Sequence, residues 1–152
     1  MDTVIFACVH NAGRSQMAAA FFNYMADPAR ARAISAGTEP GPCVHPEVVE
    51  VMKEEWIDLS GAQPRKLTAE MALGAVLLVT MGCGEACPHV PGLARDDWPL
   101  PDPKGQPRER VREIRDAVRE RVRSLLAARG WGRADKVTTD NPARPGRNQQ
   151  GL

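Results

Sequence analysis

A doubly wound α/β domain, with a four-stranded parallel sheet flanked by helices, is the fold this sequence predicts. Three observations carry the expectation. GAVLLVTM, residues 74–81, is apolar throughout, as a central parallel strand covered on both faces must be. Shorter strand-like runs alternate with stretches whose apolar residues recur at helical spacing, the βαβ pattern of a parallel sheet. The chain has 152 residues, 43% apolar and 26% charged, enough for one domain with a substantial core.

The elements follow in order. DTVIFA, residues 2–7, carries β-branched and aromatic residues and reads as a buried strand. From Ser15 to about Ala26 the period changes, and Met17, Phe21, Tyr24 and Met25 fall on one helical face until Asp27-Pro28 stops it. ARAISAG, residues 31–37, reads as a second strand ended by Gly37. His45-Pro46 opens a second helix with proline in its first turn, and Val48, Val49, Met52 and Trp56 are its expected apolar face. LTAEMA suggests a short third helix with Thr68 as N-cap. After the 74–81 strand, CGEACP and the Pro/Asp-rich stretch 88–107 read as loops, with a short strand near Leu93–Trp98. Val111, Ile114, Val118, Val122 and Leu125 then form a stripe on a long helix ending near Gly130. Its Arg112, Arg115, Arg119 and Arg123 alternate with Glu109, Glu113, Asp116 and Glu120, which reads as a solvated face with i,i+4 pairs. The domain is thus expected over 1–130. Residues 131–152, polar and rich in Gly and Pro, read as a flexible tail.

Composition narrows the class. A formal net charge of +1 gives no field that argues for nucleic acid or a membrane surface. No apolar run approaches the ~18 residues of a membrane span, and nothing resembles a leader segment, so the chain reads as cytoplasmic. It is expected to act as a monomer. The four cysteines of such a chain point to reactive or metal-bound thiols rather than structural disulfides.

One junction concentrates the chemistry. The first strand runs into CVHNAGRS, residues 8–15, and then into a helix. Ligands of doubly wound sheets bind at the carboxyl ends of strands, where Cys8 sits. Val9, His10, Asn11, Ala12, Gly13, Arg14 and Ser15 would then form an oxyanion-binding loop. Small residues let backbone N–H groups converge, and the helix N-terminus adds its positive end. Arg14 adds a rigid fork that matches a tetrahedral oxyanion. The same positive groups favour the thiolate form of Cys8, a nucleophile for phosphorus or arsenic. His10 in such a loop reads as a hydrogen-bonding or solvated residue.

CVHNAGRS resembles the Cys-x5-Arg-Ser/Thr loop of the low-molecular-weight protein tyrosine phosphatase fold. MGCGEACP (81–88) and DWPLPDP (97–103) resemble segments of the thioredoxin-coupled arsenate reductases, which share that fold, and SAGTEP and VHPEVVEVMKEEWIDLS are also similar. The resemblance covers about residues 2–128. It implies arsenate as substrate, with phosphate or sulfate as analogues, no bound cofactor, and an external thiol reductant, thioredoxin. It also implies a cascade. Cys8 attacks arsenate, Cys83 resolves the arsenylated thiol, and Cys87 takes over the disulfide for reduction. One departure is the Cys83-x3-Cys87 gap, shorter than in the best-known branch. It implies either less unwinding of that segment or a different reductant. Asp102, between two prolines, matches the family's Asp-Pro and is the expected general acid; Asp96 and Asp97 are the other candidates. Some members hold a potassium ion, for which Asn11 and Ser35 would be suitable, but Ala19 replaces the glutamate of those proteins, so no metal is expected.

Two other readings stand beside this one. A protein phosphatase would use Cys8, Arg14 and Asp102 and need neither Cys83 nor Cys87. An arsenite- or zinc-binding module could draw on Cys83 and Cys87 with Cys43, His45 and His89, but it leaves the Cys8 loop unexplained.

Overall fold

The computed structural model describes residues 1–82 and 90–133. Cys83, Cys87 and His89 lie outside the described residues, as does the tail from residue 134. Four parallel strands form one sheet in the order β2-β1-β3-β4: β1 Asp2–Cys8, β2 Ala31–Gly37, β3 Leu77–Thr80 and β4 Ala94–Asp97. The helices are α1 Arg14–Met25, α2 Pro46–Lys53, α3 Ala69–Leu73 and α4 Arg108–Arg129. Thr68 caps α3 as its sequence predicts, its Oγ1 accepting from the Met71 N–H at 3.2 Å.

Side-chain alternation along β1 divides the interior. Val4, Phe6 and Cys8 join the main core with Met17, Phe21 and Phe22 of α1, Val48 and Val51 of α2, and Val111, Ile114 and Val118 of α4. Ile5 and Ala7 face the other side, with Leu78, Leu67 and Met71. Cys8 therefore belongs to the layer that α1 covers. Both faces of the sheet are dressed, as the apolar character of β3 requires.

Three expectations change. Trp56 does not continue the apolar face of α2. The helix ends at Lys53, and Trp56, at φ 64°, carries the chain away and is 65% exposed. Its neighbour Glu55 is turned inward instead, 1% exposed, with Arg119 Nη1 at 2.6 Å from its Oε1. Of the four arginines expected on a solvated face, Arg115 is accordingly buried and Arg112, Arg119 and Arg123 are half-buried, although Arg119 and Arg123 also pair along the helix with Asp116 and Glu120, both at 3.3 Å. Arg112 and Arg115 donate to Glu54 at the end of α2, at 2.7 and 2.9 Å, and Arg115 is buried. Helical spacing alone pairs residues along one helix; here α2 packs against α4 and supplies better-placed partners. Finally, packed residues continue past the expected boundary at residue 130. Gly130, at φ 68°, reverses the chain, which lays Trp131 against Phe22 with ring centroids 5.9 Å apart. Arg133 then donates from its backbone N–H to Met25 O at 3.1 Å.

Candidate active site

The chain leaves β1 towards β2 on one side and returns to β3 on the other. The carboxyl end of β1 is therefore the topological switch point, where open α/β sheets take ligands. Cys8 ends β1 and Arg14 begins α1, so residues 9–13 make the whole turn from strand to helix.

That turn is held from outside. The carbonyls of Cys8, Val9, His10 and Ala12 accept from the N–H groups of Thr38, Glu39, Gly41 and His45, at 3.3, 2.8, 2.9 and 2.9 Å. The Asn11 carbonyl accepts from Gln16 Nε2 at 3.0 Å. In a planar trans peptide the C=O of one residue and the N–H of the next point in opposite directions. The N–H groups of Val9, His10, Asn11 and Gly13 are therefore turned away from the 38–45 segment. The α1 N-terminus has no side-chain cap and no acidic residue in its first turn. Such a run of outward N–H groups at a helix start suits an anion.

Three glycines allow this approach. A Cβ on Gly37 would stand 2.6 Å from Val9 O, and one on Gly13 2.9 Å from Pro103 Cγ. Gly82 has φ 81°, and a Cβ there would lie 2.3 Å from Arg14 Nη1.

Side chains complete the site. Ser15 Oγ lies 2.9 Å from Cys8 Sγ and accepts from Asn11 Nδ2 at 2.7 Å. With that lone pair engaged, the serine hydrogen is free to point at sulfur. Asn11 holds the required shape at φ 52°, a left-handed conformation that asparagine tolerates. Its amide is oriented by the Arg65 N–H, which donates to Oδ1 at 3.0 Å. Arg14 is buried, donates from Nη1 to Leu100 O at 2.7 Å, and has Asp102 Oδ2 4.0 Å from Nη2. Its Nε is buried and without a partner among the described residues. Pairing that donor would take an acceptor not present in the described chain, which an oxyanion would supply.

The 100–103 segment is thus latched over the loop by Leu100 on Arg14 and by Pro103 on Gly13, and it brings Asp102 to the guanidinium. Asp102 is half exposed and accepts from the Lys104 N–H at 3.0 Å. Glu47 accepts from the next N–H, that of Gly105, at 3.1 Å. Its own backbone N–H, and then that of Gly105, hold the Glu47 carboxyl below its usual range against the opposing effect of burial.

The other acid candidates are engaged elsewhere. Asp96 Oδ2 accepts from Trp98 Nε1 at 3.0 Å, and Asp97 accepts from the Thr80 hydroxyl. His10 is exposed and donates from Nδ1 to the Glu39 carbonyl at 3.0 Å. Cys43 is an exposed free thiol in a groove of about 500 Å³ beside the loop, shared with His10, Ala12, His45 and Lys104. Among the described residues no group of three or more His, Cys, Asp or Glu could hold a metal ion. The sequence pattern does not mark Gly82, Gly37 or Gln16 as parts of the site. A glycine directly after the strongest strand, and another closing the second, are the only signals that could have found two of them.

A cysteine held at a strand end by a serine hydroxyl, next to an anion-shaped loop with a fixed arginine, defines a thiol-based enzyme acting on tetrahedral oxyanions. Residues 3–134 match the low molecular weight phosphotyrosine protein phosphatase family, and the chain belongs to it. A relative from Halobacterium salinarum, named a putative arsenate reductase, is 42% identical over 129 residues, 80% of this chain and 88% of that protein. The glutaredoxin arsenate reductase of Synechocystis is 35% identical over 130 residues, 84% of this chain and 98% of its own. Among solved structures, a thioredoxin-dependent arsenate reductase from Corynebacterium glutamicum matches with a TM-score of 0.72 and 36% identity over 84% of this chain. This chain spans 61% of the length of that protein.

Proposed function

We propose that the chain reduces arsenate to arsenite with electrons from its own thiols, which an external dithiol protein of the thioredoxin type then restores. The observation that carries this reading is the buried Arg14 guanidinium beside the Cys8 loop, whose Nε has no partner among the described residues and could serve an oxyanion. The Cys8 thiolate attacks arsenic, and one oxygen leaves as water, its proton supplied by Asp102. A thiolate of Cys83 attacks Cys8 Sγ. The S–As bond breaks with its electron pair staying on arsenic, so As(V) becomes As(III) and arsenite departs. The two sulfurs are left as a Cys8–Cys83 disulfide. Cys87 exchanges onto Cys83, frees Cys8, and leaves a Cys83–Cys87 disulfide for the reductant. No bound cofactor is required. Thioredoxin is the proposed partner, since the sequence resemblance points to it; the relatives' names include both a glutaredoxin and a thioredoxin system.

Single-turnover treatment with arsenate, followed by peptide mapping of disulfides, tests the order. Cys8→Ser should release no arsenite and hydrolyse no aryl phosphate. Cys83→Ser should release no arsenite yet still cleave a small aryl phosphate. Cys87→Ser should release one equivalent of arsenite per protein and stop as the Cys8–Cys83 disulfide. Normal turnover of arsenate by both resolving-cysteine variants, with thioredoxin, its reductase and NADPH, would overturn the cascade in favour of an external thiol that resolves Cys8 directly, whereas aryl phosphate hydrolysis with no arsenate turnover in wild type would favour a phosphatase. Replacing thioredoxin by glutaredoxin with glutathione identifies the reductant.

A further inference from the structure

Gln16, the third residue of α1, is 7% exposed, and its side-chain hydrogen bonds go to Asn11 and Gln63. Its side-chain nitrogen is surrounded by oxygens. It donates to Asn11 O at 3.0 Å, Asn11 Oδ1 at 3.2 Å and Gln63 O at 3.3 Å. Three acceptors around one NH2 fix which end of the carboxamide is nitrogen, and require that one hydrogen be shared. Two of the three belong to Asn11, the left-handed residue of the anion loop. Asn11 is also the residue that orients Ser15, and Ser15 meets Cys8.

We propose that Gln16 is a positioning residue for the oxyanion loop. Anchored on Gln63, it holds both the Asn11–Ala12 peptide and the Asn11 carboxamide. The peptide contact keeps the Asn11 carbonyl on the helix side, so the Ala12 N–H is turned the other way. The carboxamide contact acts with the Arg65 N–H to aim Oδ1 at the 63–65 segment and Nδ2 at Ser15. Without the donor, Asn11 O and Oδ1 would face each other's lone pairs in a buried place, and the left-handed turn would lose its brace. The inference rests on the reading of this loop as an anion site, and adds the element that keeps its shape.

The test uses the full chain and inorganic phosphate as probe, with a small aryl phosphate for turnover. Gln16→Met preserves length and removes the donor. The dissociation constant for phosphate should rise about tenfold, the scale of one lost buried hydrogen bond, by a ratio to wild type that does not change with pH. Gln16→Glu should lose more near pH 7.5, because a carboxylate would face three oxygens. It should recover relative to wild type as the pH falls towards 5, because a protonated carboxyl again donates one hydrogen. A general loss of structure predicts no such recovery. Phosphate binding by Gln16→Met within about twofold of wild type, or a flat Gln16→Glu ratio across pH, would overturn the assignment. If Gln16→Met does not fold, the Gln16→Glu ratio decides alone. Wild type that fails to bind phosphate would overturn both this inference and the anion loop, whereas equal binding by wild type and variants would remove Gln16 only.

Discussion

Two arginines in this molecule are almost equally buried and are treated oppositely. Arg115 and Arg14 have side-chain exposures of 7% and 10%. Around Arg115, carboxylate oxygens of Glu54, Glu55 and Asp116 lie at 2.9, 3.9 and 2.9 Å, and the Val51 carbonyl accepts from it as well. Around Arg14 the described residues offer one carboxylate at 4.0 Å, that of Asp102, and one carbonyl, that of Leu100. Burial therefore does not separate a structural arginine from a functional one here. What separates them is how much of the guanidinium's charge and hydrogen bonding is answered within the protein. In the clamp between α2 and α4, Arg115 is answered on Nε and Nη1 from within the protein, although the neighbouring Arg119 keeps a buried Nε without a partner among the described residues. The loop at the end of β1 keeps a positive group and a donor that is unpaired among the described residues.

The largest test of that contrast is Arg14→Lys. An ammonium cannot reproduce the planar fork, so kcat/KM for arsenate should fall about 10³-fold while the melting temperature barely moves. Near-normal turnover would erase the distinction between the two arginines. Glu55→Gln should behave in the reverse manner. It leaves the charges of Arg119 and Arg115 buried with less to oppose them, and should lower unfolding free energy by about 2–3 kcal/mol in urea titrations, with phosphate affinity unchanged. A loss of phosphate affinity at constant stability would place the clamp in the active site.

The clamp also has an acid signature. Hydrogen bonds from Arg112, then Arg115, outweigh desolvation and hold the Glu54 carboxyl down at about 2, against an ordinary 4.5. A depressed folded value means that this stabilisation is complete above about pH 4.5 and is lost as pH falls from there towards 2. Thermal unfolding of wild type against Glu54→Gln should therefore show a gap near neutrality that narrows across this window. A gap of constant size would show that the pairing contributes nothing through Glu54 ionisation. The smallest effect expected is at Trp56, whose left-handed φ is strained for a side chain that is mostly exposed. Trp56→Gly should raise stability by about 1 kcal/mol, measurable as a higher urea midpoint.

The sequence was most informative where the chemistry is local. Cys8, the five residues after it and Arg14 lie within one strand-to-helix turn, so spacing alone brings them together. The apolar periods of β1, β3 and α4 likewise report their own buried faces, because periodicity is a property of a single element. It was least informative where two distant segments decide the outcome. Glu55 and Trp56 are neighbours whose fates are exchanged, since α2 ends at Lys53 and α4 offers arginines to whichever residue turns inward. Beyond its place directly after the strongest strand, nothing local tells that Gly82 leaves room for the Arg14 guanidinium, and nothing marks Leu100 as the residue that latches it.

By itself, then, the sequence determined the nucleophile's setting and the order of strands and helices along the chain, because both arise from short-range spacing and period. Only the tertiary structure decided the sheet order, which arginines are neutralised, and that Gln16 and the 63–65 segment brace Asn11. Those outcomes depend on packing and hydrogen bonds between residues up to 86 positions apart, and no local pattern encodes such meetings.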